Sequence, residues 1–183
     1  MNQVQLAKHR KQRNLVSISR SEIDANAIQG FILDFSAEIV ALQYVYDFNL
    51  DGLMFLRAAD VTDVKHSATG KFQKALLKQE RLLERIPFEA TFKLDNWGSL
   101  ISQLSEEHKL MILEREASQE PDLFIGTILK CARASVQGRY FSGAAKWAAK
   151  PEKLAFRDIT SCQVGTNYLN VYQRYFHRQP KGL

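Results

Sequence analysis

The chain carries an internal echo. Asn14-Leu-Val-Ser-Ile-Ser-Arg-Ser-Glu22 is matched by Lys109-Leu-Met-Ile-Leu-Glu-Arg-Glu116. Gln29-Gly-Phe-Ile-Leu-Asp34 is matched by Ile125-Gly-Thr-Ile-Leu-Lys130, and Arg57-Ala-Ala-Asp-Val-Thr62 by Arg157-Asp-Ile-Thr160. The offset drifts from 95 (Leu15 to Leu110) through 96 (Gly30 to Gly126) to 98 (Asp60 to Asp158). A duplicated unit with small loop insertions gives that drift. The repeat constrains the fold more than any composition value does, because it calls for two similar small units rather than one larger one.

Each unit reads as closely spaced strands followed by a helix. In the first, the apolar run 15–18, the Ile/Val/Phe/Tyr-rich stretches 29–35 and 38–48, Leu53 to Leu56 after the Asn49-Leu-Asp-Gly52 turn, and Asp60 to Lys65 give about five strands. Thr69 is placed to cap a helix with Phe72, Leu76, Leu83 and Ile86 on one face, ending before Pro87. In the second unit, Asn167 is placed to cap a helix with Tyr168, Val171, Tyr172 and Tyr175 on one face. Between them, Phe88 to Leu94 alternates like a strand, and Asn96 starts a helix with Trp97, Leu100, Ile101 and Leu104 as its buried stripe. The expected division is a basic, poorly ordered tail (1–13), a first barrel plus helix (14–86), a strand-helix connector (87–108), a second barrel plus helix (109–177) and a tail (178–183). So many short strands in so few residues must close or pack to hide their edges.

The Gly30-Phe-Ile-Leu-Asp34 and Asp60-Val-Thr-Asp-Val64 segments, with Gly126-Thr-Ile-Leu-Lys130 and Asp158-Ile-Thr-Ser-Cys162, resemble Sm-like and SH3-like small barrels. The resemblance covers roughly two-thirds of the chain on short motifs. It implies a mainly β protein with helices (α+β): two five-stranded barrels, each followed by a helix. The layout also resembles uncharacterised bacterial tandem-barrel proteins. Sm-like proteins commonly bind RNA as rings and carry a helix ahead of the strands. Here the legible helices follow the strands, and Asp34-Phe-Ser-Ala37 stands where that family has Asp-x-x-Asn.

The net charge of +5 sits at the ends. Residues 1–13 carry four basic side chains and 173–183 carry three, with no acid in either, so the body is slightly acidic. Within the body, charge is divided by unit. Residues 31–56 hold Asp34, Glu38, Asp47 and Asp51 with no Lys or Arg, and residues 123–151 hold Lys130, Arg133, Arg139, Lys146 and Lys150 with no Asp or Glu. Basic groups interleaved with Tyr140, Phe141 and Trp147 can hold phosphates while the rings stack on bases. Lys130, Arg133, Arg139, Tyr140, Lys146, Trp147 and Lys150 are therefore the candidate nucleic-acid contacts. A half-buried strand pair with inward aromatics and solvated bases would show the same pattern.

Catalytic chemistry finds no anchor in the sequence. Asp60 and Asp158 recur at one place, where a turn explains them as readily as an acid pair. His9, His66, His108 and His177 are scattered as surface residues would be, at no metal-ligand spacing. Cys131 and Cys162 lie in apolar surroundings, as buried, inert thiols would. No phosphate-binding glycine loop is present. The expectation is a cytoplasmic, non-catalytic binding or adaptor module without metal, cofactor or membrane span, with a protein partner or self-association. The alternatives are single-stranded RNA binding through the second unit, or a small-ligand sensor or enzyme with a pocket between the units.

Overall fold

The computed structural model describes residues 3–118 and 121–178. It is an α+β fold with, among these residues, ten strands in one antiparallel sheet and four α-helices. In chain order these are α1 (Gln3–Lys11), β1 (Leu15–Arg20), β2 (Asp24–Phe35), β3 (Ile39–Tyr46), β4 (Asn49–Arg57), β5 (Asp63–Lys65), α2 (Ala68–Gln79), α3 (Trp97–Glu107), β6 (Met111–Arg115), β7 (Asp122–Cys131), β8 (Ser135–Tyr140), β9 (Glu152–Ala155), β10 (Ser161–Val164) and α4 (Asn167–Arg178). No helix among the described residues is long and apolar enough to cross a membrane.

The two halves match element for element. Each runs helix, five strands, helix. Three residues separate α1 from β1 and α3 from β6, and two separate β5 from α2 and β10 from α4. A 3-10 turn joins β4 to β5 (Ala58–Asp60) and β9 to β10 (Phe156–Asp158). Thr62 Oγ1 donates to Ser19 O at 3.0 Å, and Thr160 Oγ1 donates to Glu114 O at 3.1 Å, at matching places. The repeated Thr thus ties each turn to the end of the unit's first strand.

Of the stretch 1–13 expected to be a poorly ordered tail, the described residues 3–13 are structured. Residues 3–11 form α1, and its Leu6 is fully buried against Val16, Ile18 and Ile32. Val4, Leu6 and Ala7 are its apolar residues, and only Leu6 is buried, so they mark no helical stripe until the sheet supplies a surface. The connector helix α3 is therefore α1's counterpart rather than an insertion. Residues 88–94 form no strand: Phe88 and Phe92 turn inward instead, edge-on to Phe31 and Phe55. The C-terminal tail beyond Arg178 lies outside the described residues.

Strand order is β5-β1-β2-β3-β4-β10-β6-β7-β8-β9. The sheet is not closed. The units meet where β10 lies between β4 of the first and β6 of the second, with Phe55 opposite Cys162 and Leu53 opposite Val164. Phe55 and Cys162 are both fully buried. One core combines Leu15, Phe31, Leu33 and Phe55 with Trp97, Leu100 and Ile101 of α3 and with Met111, Leu113 and Leu154 of the second unit. The expected stripe of α3 is the buried one, and Asn96 caps that helix, accepting from Ser99 N. Burying this apolar surface at the seam is the main force joining the halves.

Polar groups fix the seam's register. Arg20, 3% exposed, donates through both terminal nitrogens to Glu116 at 2.6 and 2.8 Å. Thr160 Oγ1 lies 2.7 Å from the same carboxylate. Arg57 reaches across to Ile159 O at 2.8 Å. Glu114 accepts from Ser161 and Gln163, yet burial still pushes its carboxyl above the usual glutamate range.

The repeated glycine is steric in both units. A Cβ at Gly30 would stand 2.6 Å from Gln43 O, and one at Gly126 would overlap Arg139 O and the Phe124 ring. Each strand passes too close to its neighbour for a side chain.

Two outcomes are expected. Arg20→Met leaves Glu116 without its buried partner and should cost about 3 kcal/mol in urea unfolding. Glu114 has a raised folded pKa, so its contribution is full below the unfolded value and falls as pH rises through the folded one. Glu114→Gln should remove that decline, read as the change in Tm between acidic and neutral pH.

Candidate functional site

A concavity lies where α4 crosses the second unit. Thr166 starts that helix: its Oγ1 accepts from Leu169 N at 3.2 Å. Asn167, the residue expected to cap, is instead the first helical residue, and its N–H donates to Asp51 of the first unit at 2.6 Å. Ser67 rather than Thr69 does the matching job on α2, accepting from Gly70 N. An acid from the acidic stretch 34–51 thus holds the N-terminus of the helix on the basic unit, the end that favours negative charge.

α4 packs by Leu169, Tyr172 and Phe176. The stripe read from sequence is largely the other one: Tyr168, Val171 and Tyr175 are 44%, 47% and 47% exposed. Both stripes fall at i, i+3 and i+7, so periodicity could not choose between them. The surface that α4 meets made the choice. Phe141, at the end of β8, sits under the helix with its ring centroid 4.7 Å from Tyr172 and 5.1 Å from Phe176. Trp147 bridges back to Phe141 and lies 4.9 Å from Phe176 at an interplanar angle of 34°. The tight turn between them is closed by Ala145 N donating to Ser142 O, and Tyr172 Oη donates to Gly143 O at 2.8 Å.

Beside this aromatic wall runs an open groove of about 820 Å³. Its lining includes Lys109, Leu110, Thr127, Trp147, Arg174 and His177, and among the described residues no Asp or Glu. An aromatic wall flanked by Lys and Arg is the kind of surface that can stack a planar ring and attract an anion.

The residues singled out from sequence divide between two places. Trp147 lines the groove, and Lys146 beside it is exposed. Arg139 is directly across the ladder from groove-lining Thr127. Tyr140, one residue on along β8, points to the opposite face of the sheet by strand alternation. Lys150 is exposed just before β9. Lys130 and Arg133 lie at the far end of the β7–β8 hairpin, where Arg133 lines a separate hollow with Lys93, Asn96 and Ser99 of the α3 region. Sequence reasoning missed Lys109, Arg174 and His177, which reach the groove from outside the stretch 130–150. The absence of any acid in residues 167–178 was the available signal.

Of the remaining candidates, Asp60, Asp158 and His9 have local partners. Asp60 Oδ2 lies 3.3 Å from Arg57 Nε, and burial pushes its carboxyl up despite Arg57 and Arg20. Asp158 is 3.5 Å from the exposed Arg157. The two carboxylates thus occupy matching turns of separate units, Asp60 at the seam and Asp158 in the second unit. His9 is buried rather than on the surface: it sits on the inner face of α1, its Nδ1 3.1 Å from Asn14 Nδ2, and burial lowers its pKa. Cys162 is fully buried and Cys131 half-buried, and burial raises both thiols. Among the described residues, no group of three or more His, Cys, Asp or Glu is placed to hold a metal ion.

No protein-family model, curated protein or solved structure matches the chain.

Phe141→Ala should cost about 3–5 kcal/mol by removing the ring on which α4 rests. Hydrogen exchange should show α4 amides losing protection before those of the sheet.

Proposed function

We propose that the protein is a non-catalytic binding module whose ligand, a single-stranded nucleic acid, lies in the α4 groove of the second unit. The scaffold would be two Sm-like/SH3-like small barrels sharing one sheet, with the first unit as support. A reducing bacterial cytoplasm suits its two unpaired thiols.

One observation carries the reading. Cations from three separate segments (Lys109 before β6, Arg139 on β8, Arg174 and Arg178 on α4) gather around or beside a groove walled by the Trp147–Phe176 pair and lined, among the described residues, by no acid. Cations hold the phosphates and drive association, while stacking on an aromatic face tolerates any base. The first unit's acids fit a supporting role: Arg10 is paired with Asp34, and Asp51 is spent on α4.

The groove's size also falls within the span of small-ligand sites, roughly 300–1,000 Å³. That favours a second reading, a sensor for an anionic aromatic metabolite. A rise in Tm with such a compound would support it.

Fluorescence anisotropy with a labelled single-stranded RNA should show binding that weakens steeply with salt. Lys109→Glu with Arg174→Glu should abolish it, Trp147→Ala should cost about 1–3 kcal/mol, and Lys130→Glu with Arg133→Glu should change it little. No binding at low salt would reject the nucleic-acid reading.

A further inference from the structure

Aligning the units at their 3-10 turns gives each seam residue a counterpart at a free end of the sheet. At β9, Pro151, Glu152, Lys153, Leu154 and Ala155 stand for Leu53, Met54, Phe55, Leu56 and Arg57 of β4. At β5, Asp63, Val64, Lys65 and His66 stand for Ser161, Cys162, Gln163 and Val164 of β10. The β1·β5 and β6·β10 ladders confirm the alignment, with Ser19 opposite Asp63 and Glu114 opposite Ser161. If β5 of one chain met β9 of another as β10 meets β4, the same seam would form again. Among the described residues, β5 and β9 each have one neighbour in the sheet, so the edges are the natural template for such a repeat.

We infer that both edges are terminated, so that the chain joins its two units once and refuses a third, including one from a second copy. Leu154 keeps the seam's Leu56, but the features that lock the seam are replaced at their counterpart positions. Phe55, fully buried opposite Cys162, becomes the exposed Lys153, which would have to lie over Val64. Arg57, which donates across the seam to Ile159 O, becomes Ala155. Glu116, the acid that holds Arg20, has Ser21 at the matching place in the first unit. The matching arginine, Arg115, is instead held inside its own unit by Asp122 and Glu152.

The backbone is closed as well. Arg57 N donates to Thr160 O, and ladder partners recur at every second residue, so Cys162 and Val164 turn their backbones toward β4. The counterpart of Val164's partner Leu53 is Pro151, which has no N–H to give. The counterpart of Cys162 is Val64, whose outward carbonyl is taken by Gln5 Nε2 of α1 at 2.6 Å. Lys65 and Glu152 would face each other with opposite sign, the one attraction such a contact retains. Both are already paired at home, Lys65 with Asp63 at 2.8 Å and Glu152 with Arg115 at 3.0 Å.

Light scattering of the full chain at low salt, from micromolar to near-millimolar concentration, tests this together with hydrogen exchange of β5 and β9. A monomer, or an association that leaves both edges unprotected, is the expected result. Association with protection gained at β5 and β9 together would overturn the inference. The converse test puts the seam's residues on the ends: Lys153→Phe with Pro151→Leu, Asp63→Ser, Lys65→Gln and Gln5→Ala. Head-to-tail oligomers whose mass grows with concentration are expected, with both edges protected. Lys153→Phe alone, at an exposed position, provides a folded fallback and should show the onset of the same association. Variants that keep the native melt and stay monomeric would show that these residues are not the terminators.

Discussion

The pairing of β4 with β10 is the contact on which the rest of the structure depends. It turns two five-stranded units into one ten-stranded sheet and brings Phe55, Cys162, Leu53 and Val164 into a single core with α3. Apolar burial gives this seam its strength but little of its register, because oily surfaces slide. Register comes from Arg20 on Glu116, Arg57 on Ile159 O and Thr160 beneath them, groups that would be left unpaired and buried by a slip of one residue.

The seam also sets where the groove of the second unit lies. By taking β10 into the shared sheet, it fixes the start of α4, and Asp51 reaches over from the first unit to hold that start. The helix then lies across Phe141 and Trp147, and the groove opens along its basic side. The two units keep one skeleton but diverge in charge, and the acidic unit's contribution to the groove is mechanical.

Much of the strand content was legible. Glycine and β-branched signals placed most of the first unit's strands, and the repeat showed that the units correspond; the Asn49-Leu-Asp-Gly52 stretch read as a turn is instead the start of β4, because the chain already reverses at Asp47-Phe48. The helices were less legible. α1 has a single buried apolar residue, so nothing in its pattern marks it. Helix caps were read two residues late at Ser67 and one late at Thr166, since several capping residues stand side by side in Ser67-Ala-Thr69 and Thr166-Asn167. The face of α4 was ambiguous because two aromatic stripes share one period. Of the candidate ligand contacts, Trp147 and Arg139 come together beside the groove, whereas Lys130 and Arg133 do not, because a hairpin separates its two ends by its own length.

By itself, the sequence determined that this is a duplicated α+β unit, that Gly30 and Gly126 are equivalent, and that the copies carry opposite charge. These are local or periodic properties, and each is written in residues near one another in the chain. Only the tertiary structure decided that β4 meets β10, that α1 is the counterpart of α3, and that Lys109 and Arg174 share a groove with Trp147. Those pairings join residues far apart in sequence. They are selected by which surfaces fit and which buried charges find partners, and neither quantity exists until the chain has folded.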